Sequence, residues 1–295
     1  MLVVKEKILG RGSSASVFRA VSHGGRLTVA VKATSYLHCV LSLQKEEHIL
    51  KTFRGCPEIV QCYGSQITVE NGVSVHNLFL EYAPHGTLLD LIKKGAFLES
   101  QVRDFTRMLL RGLSRIHRMG LVHCDLKPEN ILVFPGTETA TSYQLKVADF
   151  GLSLTLEEKR KLDCRRWRGR FKGTPLYMSP ESVVAGEIGP ALDIWSLGCT
   201  VVQMITGLPP WTSWDSGLQI KTMREVMCML LLDENAAPKI PEGVSKDCRD
   251  FLSKCFDRNS KWRWTADMLL LHPFLAPPRS SKDFNQYMAS VLQCS

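Results

Sequence analysis

The hydrophobic period of this chain changes abruptly at the turn signal "PHG" (Pro84–Gly86), and that change limits the folds open to it. Before the turn, apolar residues come in short runs such as "TVAVKA" (Thr28–Ala33) and "HNLFLEYA" (His76–Ala83), which read as strands. Between them, "SLQKEEHILKTF" places Leu43, Glu46, Ile49, Leu50 and Phe53 near one face at helical spacing. After the turn, "SQVRDFTRMLLRGLSRIHRMG" and "DIWSLGCTVVQMITG" follow helical patterns, the second stopped by Gly207. The expectation is an α+β, bilobal architecture, with a small β-rich lobe carrying one main helix over residues 1–82 and a larger helical lobe over residues 83–276. The hinge falls near residues 81–86. A chain of 295 residues is long for one core but ordinary for two lobes sharing a cleft. Pro277 and Pro278 open a short tail, residues 277–295, in which Phe284, Tyr287, Met288, Val291 and Leu292 follow an amphipathic helical spacing. Both packing on the helical lobe and binding of a partner are open to that tail.

Composition is needed to exclude other classes. The 44% hydrophobic and 22% charged content fits a soluble globular protein. The N-terminal "MLVVKEKILG" lacks the basic, apolar and small-residue regions of a signal peptide. The most apolar run, "VMCMLLL" (Val226–Leu232), is far shorter than the roughly 18 residues of a membrane helix, so no membrane insertion is expected. Ten cysteines are scattered without a C-x-x-C pair, which points to reduced thiols in a cytoplasmic or nuclear protein rather than to zinc. The net charge of +8 is local: Lys159–Lys172 holds eight Lys/Arg and one acid, and so carries +7 of it. A near-neutral body argues against a broad nucleic-acid-binding surface.

Four stretches carry chemistry. "LGRGSSASV" (Leu9–Val17) is a small-residue turn whose backbone N–H groups, at Gly10 and Gly12 for instance, could approach phosphate oxygens, although a plain hairpin would read the same. Lys32 ends a strand and is followed by a helix bearing Glu46, an acid able to hold it toward phosphates; Glu47 is the neighbouring alternative, which helical spacing disfavours. In "VHCDLKPENILV" (Val122–Val133), Asp125 can take the proton of an attacking hydroxyl and Lys127 can neutralise a moving phosphoryl group. Asn130, with Asp149 of "VADFG" (Val147–Gly151), offers the oxygen ligands that Mg²⁺ prefers.

These motifs, in this order, resemble the eukaryotic protein kinase domain over roughly residues 3–276. "GTPLYMSPE" (Gly173–Glu181), "DIWSLG" (Asp193–Gly198) and the arginine of "KWRWTADMLLLHPFL" extend the likeness. The resemblance implies the protein kinase fold, an ion pair between Glu181 and Arg263, and an Asp193 that anchors the catalytic loop. It also implies use of ATP with Mg²⁺. Adenine would lie against Leu9, Val17, Ala30 and Leu132, with Leu80 behind it, bonded by the backbone of Glu81 and Ala83, and Ala15 would stand where the third glycine of the phosphate loop is usual. Lys127 and Thr174 are similar to serine/threonine kinases. "HNLFLEYAPHGTL", "HCDLKPENIL", "DFLSKCF" and "RWTADMLLLHPFL" are similar to plant MAP kinase kinase kinases of the short, MEKK-like group. That likeness implies a protein substrate, a MAP kinase kinase; a pseudokinase scaffold of the same fold is the alternative.

Cys124 departs from the kinase pattern, which has arginine before the catalytic aspartate. In many kinases that arginine pairs with a phosphorylated residue of the activation segment, and a thiol cannot make such a contact. Between Asp149 and Glu181 the hydroxyls are Ser153, Thr155, Thr174, Tyr177 and Ser179, and none lies in the middle, where the basic run sits. Activity independent of loop phosphorylation is expected, with control from protein level, a partner, or an acidic surface at Lys159–Lys172. A solvated loop is the other reading of that run.

Overall fold

Strand residues Thr28–Thr34 show how alternation sorts the first lobe. Val29, Val31 and Ala33 pack with Ala20 and Phe79 in a small cluster, whereas Ala30 joins the main core with Leu78 and Leu80. A period of two therefore places Lys32 on the same face as Ala30, toward the cleft. The computed structural model describes residues 3–276 except 13–14, 26, 137–142, 156, 159–172 and 213–222. The basic run Lys159–Lys172 and the amphipathic spacing within residues 277–295 lie outside the described residues.

A five-stranded antiparallel sheet is built from β1 (Val3–Arg11), β2 (Ser16–Ser22), β3 (Thr28–Thr34), β4 (Cys62–Glu70) and β5 (Val73–Glu81), in the order β1-β2-β3-β5-β4. Register pairs Val17 with Lys32, and Lys32 with Leu78. Helix α1 (Leu37–Thr52) buries Cys39, Leu43, Glu46, Ile49 and Leu50, so the one acid on its inner face is Glu46.

Past Glu81 the chain turns through Gly86, where φ of 76° suits glycine. It then enters α2 (Leu88–Ile92), capped reciprocally by Thr87 and Asp90, and α3 (Glu99–Arg118). The inner stripe of α3 is Val102, Phe105, Leu109, Leu110, Leu113 and Ile116, each worth about 1.5–3 kcal/mol of apolar burial. Two small antiparallel pairs follow, β6 (Leu121–Val122) with β9 (Leu154–Thr155) and β7 (Ile131–Pro135) with β8 (Tyr143–Val147).

The rest is helical: α4 (Pro180–Val184), α5 (Pro190–Thr206), α6 (Met223–Leu232), α7 (Lys246–Cys255) and α8 (Ala266–Leu270). Helix α5 is buried without interruption from Leu192 to Met204, as its nearly unbroken apolar sequence requires, and ends on Gly207 at φ 72°. A side chain at Gly198 would meet Phe256 at 2.8 Å and Cys255 at 2.9 Å, so α5 and α7 touch nearly backbone to side chain there. The β-rich first lobe and helical second lobe are the α+β arrangement expected from the period change.

Candidate active site

The cleft beside the sheet measures about 760 Å³, within the range of small-ligand sites. Every residue singled out from the sequence for phosphate, nucleotide or metal contact lines it: Leu9, Gly10, Gly12, Ala15 and Val17 from the β1–β2 hairpin, Ala30 and Lys32 from β3, Glu46 from α1, Glu81 and Ala83 at the crossing, and Asp125, Lys127, Asn130, Leu132 and Asp149 opposite. Leu80 lines it too.

Two polar centres face each other across this cleft. In the first, Lys32 Nζ donates to Glu46 Oε2 at 2.7 Å and to Asp149 Oδ1 at 2.8 Å. Burial alone would lower the Lys32 pKa, but the Glu46 and Asp149 carboxylates outweigh it and hold the ammonium above its ordinary value. Burial likewise disfavours a charged Asp149, and Lys32 overrides it and lowers that pKa. Glu46 also accepts from the Phe150 N–H, while the side chain of Glu47 turns away to Lys51 and Ser65. The choice between the two acids made on helical spacing therefore agrees with the geometry.

The second centre surrounds Asp125. Its Oδ2 receives Lys127 Nζ at 2.9 Å and Asn130 Nδ2 at 2.9 Å, and its Oδ1 receives the Thr174 hydroxyl at 3.0 Å. Lys127 also donates to Thr174 Oγ1, closing a ring. Because the Asn130 amide nitrogen is committed to Asp125, its carbonyl Oδ1 is the atom it can offer a cation. With Lys32 and the Gly151 N–H both on Asp149 Oδ1, the other carboxylate oxygen is left for the same purpose. Amide and carboxylate oxygens suit a hard divalent ion.

The scaffold beneath is more elaborate than the sequence suggested. Cys124 takes φ 69°, a left-handed conformation costing about 1–2 kcal/mol for a residue with a Cβ. Buried Asp193 stabilises it by accepting the His123 N–H at 2.8 Å and the Cys124 N–H at 3.0 Å, while a third contact ties Asp193 to His117. The fully buried His123 accepts the Asp125 N–H on Nδ1, which makes Nε2–H the donor to the Ala148 carbonyl. Asp149 also has a positive φ, 64°, which aspartate tolerates better than most residues. Glu181 and Arg263 form a two-pronged pair at 2.7 and 3.0 Å, with the guanidinium stacked over Trp195.

Sequence reading missed several contributors. Lys146 fastens Glu81 with two bonds, 2.7 and 2.9 Å, so the Glu81 carboxylate braces the crossing strand. Ser42 and Lys45 lie on the α1 face that carries Glu46, donating to the Gly151 carbonyl and to Glu158. The spacing of Lys45 and Glu46 at three and four residues from Ser42 was the available signal for a shared stripe.

With this geometry in place, comparison with known proteins is direct. The protein kinase domain family matches residues 3–275. Mitogen-activated protein kinase kinase kinase 20 of Arabidopsis thaliana is 43% identical over 254 residues, covering 84% of this chain and 69% of that protein. Mitogen-activated protein kinase kinase kinases 17 and 18 of the same organism are 38% and 37% identical, each covering 91% of this chain and 68% and 76% of their own lengths.

Proposed function

This chain belongs to the protein kinase family as a serine/threonine protein kinase, and from that premise we infer that it is catalytically active, works with ATP and Mg²⁺, and acts as a MAP kinase kinase kinase on a MAP kinase kinase in a plant signalling cascade. The observation that carries activity is the formed Lys32–Glu46–Asp149 cluster facing the Asp125–Lys127–Asn130 network across one cleft. A pseudokinase scaffold would have no need of both.

On this reading residues 1–82 and 83–276 are the two lobes. Leu9, Val17, Ala30 and Leu132 hold the adenine ring, and the backbone of Glu81 and Ala83 bonds its edge. Gly10, Gly12 and Ala15 cover the phosphates, Lys32 orients them, and Asn130 with Asp149 holds the Mg²⁺, which neutralises phosphate charge when bound. Asp125 accepts the proton of a substrate Ser or Thr hydroxyl, and Lys127 stabilises the charge that develops on the transferred group. Among the described residues no helix is long and apolar enough to cross a membrane; the cytoplasm or the nucleus is our assignment. The test is to incubate the protein with MgATP and an inactive MAP kinase kinase beside an Asp125→Asn control. Labelling that is absent, or equal in the control, overturns the reading.

Ala15 is a mild departure rather than a lesion. It lines the cleft with its carbonyl accepting from the Gly12 N–H at 2.9 Å, and it adds a single methyl group there. Ala15→Gly should change ATP affinity by less than about tenfold, or ~1.4 kcal/mol, in a nucleotide titration.

Cys124 sits in an apolar cluster with Val122, Leu154 and Ile188, and its own thiol brings no positive charge to meet a phosphate. Ser153 is fully buried and donates to the His123 carbonyl, which hides it from modification. Phosphatase-treated protein and the Ser153→Ala/Thr155→Ala variant should both keep most of their activity. An abolished rate in both would show that loop phosphorylation is required. Control then falls to protein level, a partner, or an acidic surface meeting Lys159–Lys172.

A further inference from the structure

Helix α1 presents Ser42, Lys45, Glu46 and Ile49 at i, i+3, i+4 and i+7, a single face. Three of these side chains hold successive points of one segment. Glu46 accepts from the Phe150 N–H, Ser42 donates to the Gly151 carbonyl at 3.2 Å, and Lys45 Nζ reaches both oxygens of Glu158 at 2.8 and 2.9 Å. Glu158 is oriented independently of Lys45: the Thr155 N–H donates to its Oε2 at 2.8 Å, and its own N–H donates to Thr155 Oγ1 at 2.9 Å. Thr155 in turn pairs with Leu121, so the chain of contacts runs from α1 through β9 to β6, the strand that leads into the catalytic loop.

We propose that Lys45 and Glu158 are a positioning pair, which holds α1, and with it the Glu46–Lys32 ion pair, against the cleft by a permanent carboxylate where a kinase switched by modification would need an added phosphate. Phosphorylation orders segments by supplying negative charge to a waiting cation. Here the cation is on α1 and the negative charge is encoded. The arrangement also fits Cys124, which leaves the catalytic loop without a cation of its own at that position. This inference rests on the kinase reading, since positioning matters only if Lys32 acts on a phosphate.

Both partners are partly exposed, at 27% and 42%, so solvent and salt weaken the pair and the effect is modest. With wild-type turnover established first, Lys45→Met and Glu158→Gln should each lower kcat by about two- to fivefold, within the range of such pairs. The double variant should be no worse than either single one. Lys45→Arg, which keeps the positive charge and can donate to both carboxylate oxygens, should restore at least most of the rate. Additive losses, a silent Lys45→Met, or a Lys45→Arg as impaired as Lys45→Met would each overturn the proposal. Amide hydrogen exchange of residues 37–52 provides a reading that needs no turnover: it should be faster in Lys45→Met than in Lys45→Arg. Equal exchange refutes the pair even if the protein proves inactive, whereas inactive wild-type protein with the expected exchange difference refutes only the kinase reading.

Discussion

Lys32→Met and Asp149→Ala should each lower phosphoryl transfer by at least about 10²–10³-fold, the scale on which a preorganised charge stabilises a transition state. Both should leave a cooperatively folded protein. Lys32 touches acids from both sides of the cleft, Glu46 and Asp149, so its loss removes the cation proposed to orient the phosphates and breaks one of the links between α1 and the Asp149 segment. The fold survives because the stranded Glu46 has a way out. Burial already raises its pKa, and without Lys32 opposing that effect the carboxyl takes up a proton rather than remain an unpaired charge. The sign of the pH dependence follows. A carboxyl whose folded-state pKa is raised contributes stability below its unfolded value and loses it as pH rises through the folded one. The stability deficit of Lys32→Met against wild type should therefore grow as pH rises above the ordinary carboxylate range. Turnover and thermal melting of the same preparations measure both effects; near-normal turnover in either variant would remove Lys32 or Asp149 from the assigned roles.

The sequence reading placed side chains correctly where periodicity is local. Glu46 was separable from Glu47 because a helix face is written at i, i+3, i+4, and the structure buries Glu46 while Glu47 meets Lys51 and Ser65. Lys32 was singled out through the acid that follows it on the next helix, Glu46, and the structure joins the two at 2.7 Å on the strand face that also carries Ala30. What stayed hidden depends on distant partners. Nothing near Cys124 in sequence shows that it bends through a positive φ, because the group that fixes it, Asp193, lies 69 residues away, and its apolar neighbours Leu154 and Ile188 are also distant along the chain. Strand β1 was not legible either. It is largely exposed, with Val4 and Ile8 facing solvent and two register shifts against β2, so its residues never alternate cleanly. The Lys45–Glu158 bond crosses 113 residues and joins two ordinary-looking charges, which composition alone cannot distinguish from a solvated surface.

The largest effect on stability is expected at the pair joining α4 to the loop before α8. Arg263 is fully buried, and its guanidinium meets both oxygens of Glu181, donates to the carbonyls of Asp257 and Ala191, and lies 5.1 Å over Trp195. Glu181→Ala leaves that cation with two carbonyls and an aromatic face but no anion, and breaking a buried pair from one side costs about 3–5 kcal/mol. For a protein of this size that is a fall in melting temperature of roughly 10 °C. Arg263→Met removes the cation and keeps much of the apolar stem, leaving Glu181, which is one-tenth exposed, nearer to water. The Met variant should therefore be the milder of the two. Because each single change strands a charge that the double change eliminates, Glu181→Ala/Arg263→Met should be less destabilised than the sum of its parts by about 1–3 kcal/mol. Chemical denaturation of all four proteins measures that coupling. Strict additivity would mean that Arg263 is held by its carbonyl bonds and Trp195 alone, and that Glu181 is a bystander at the end of the activation segment.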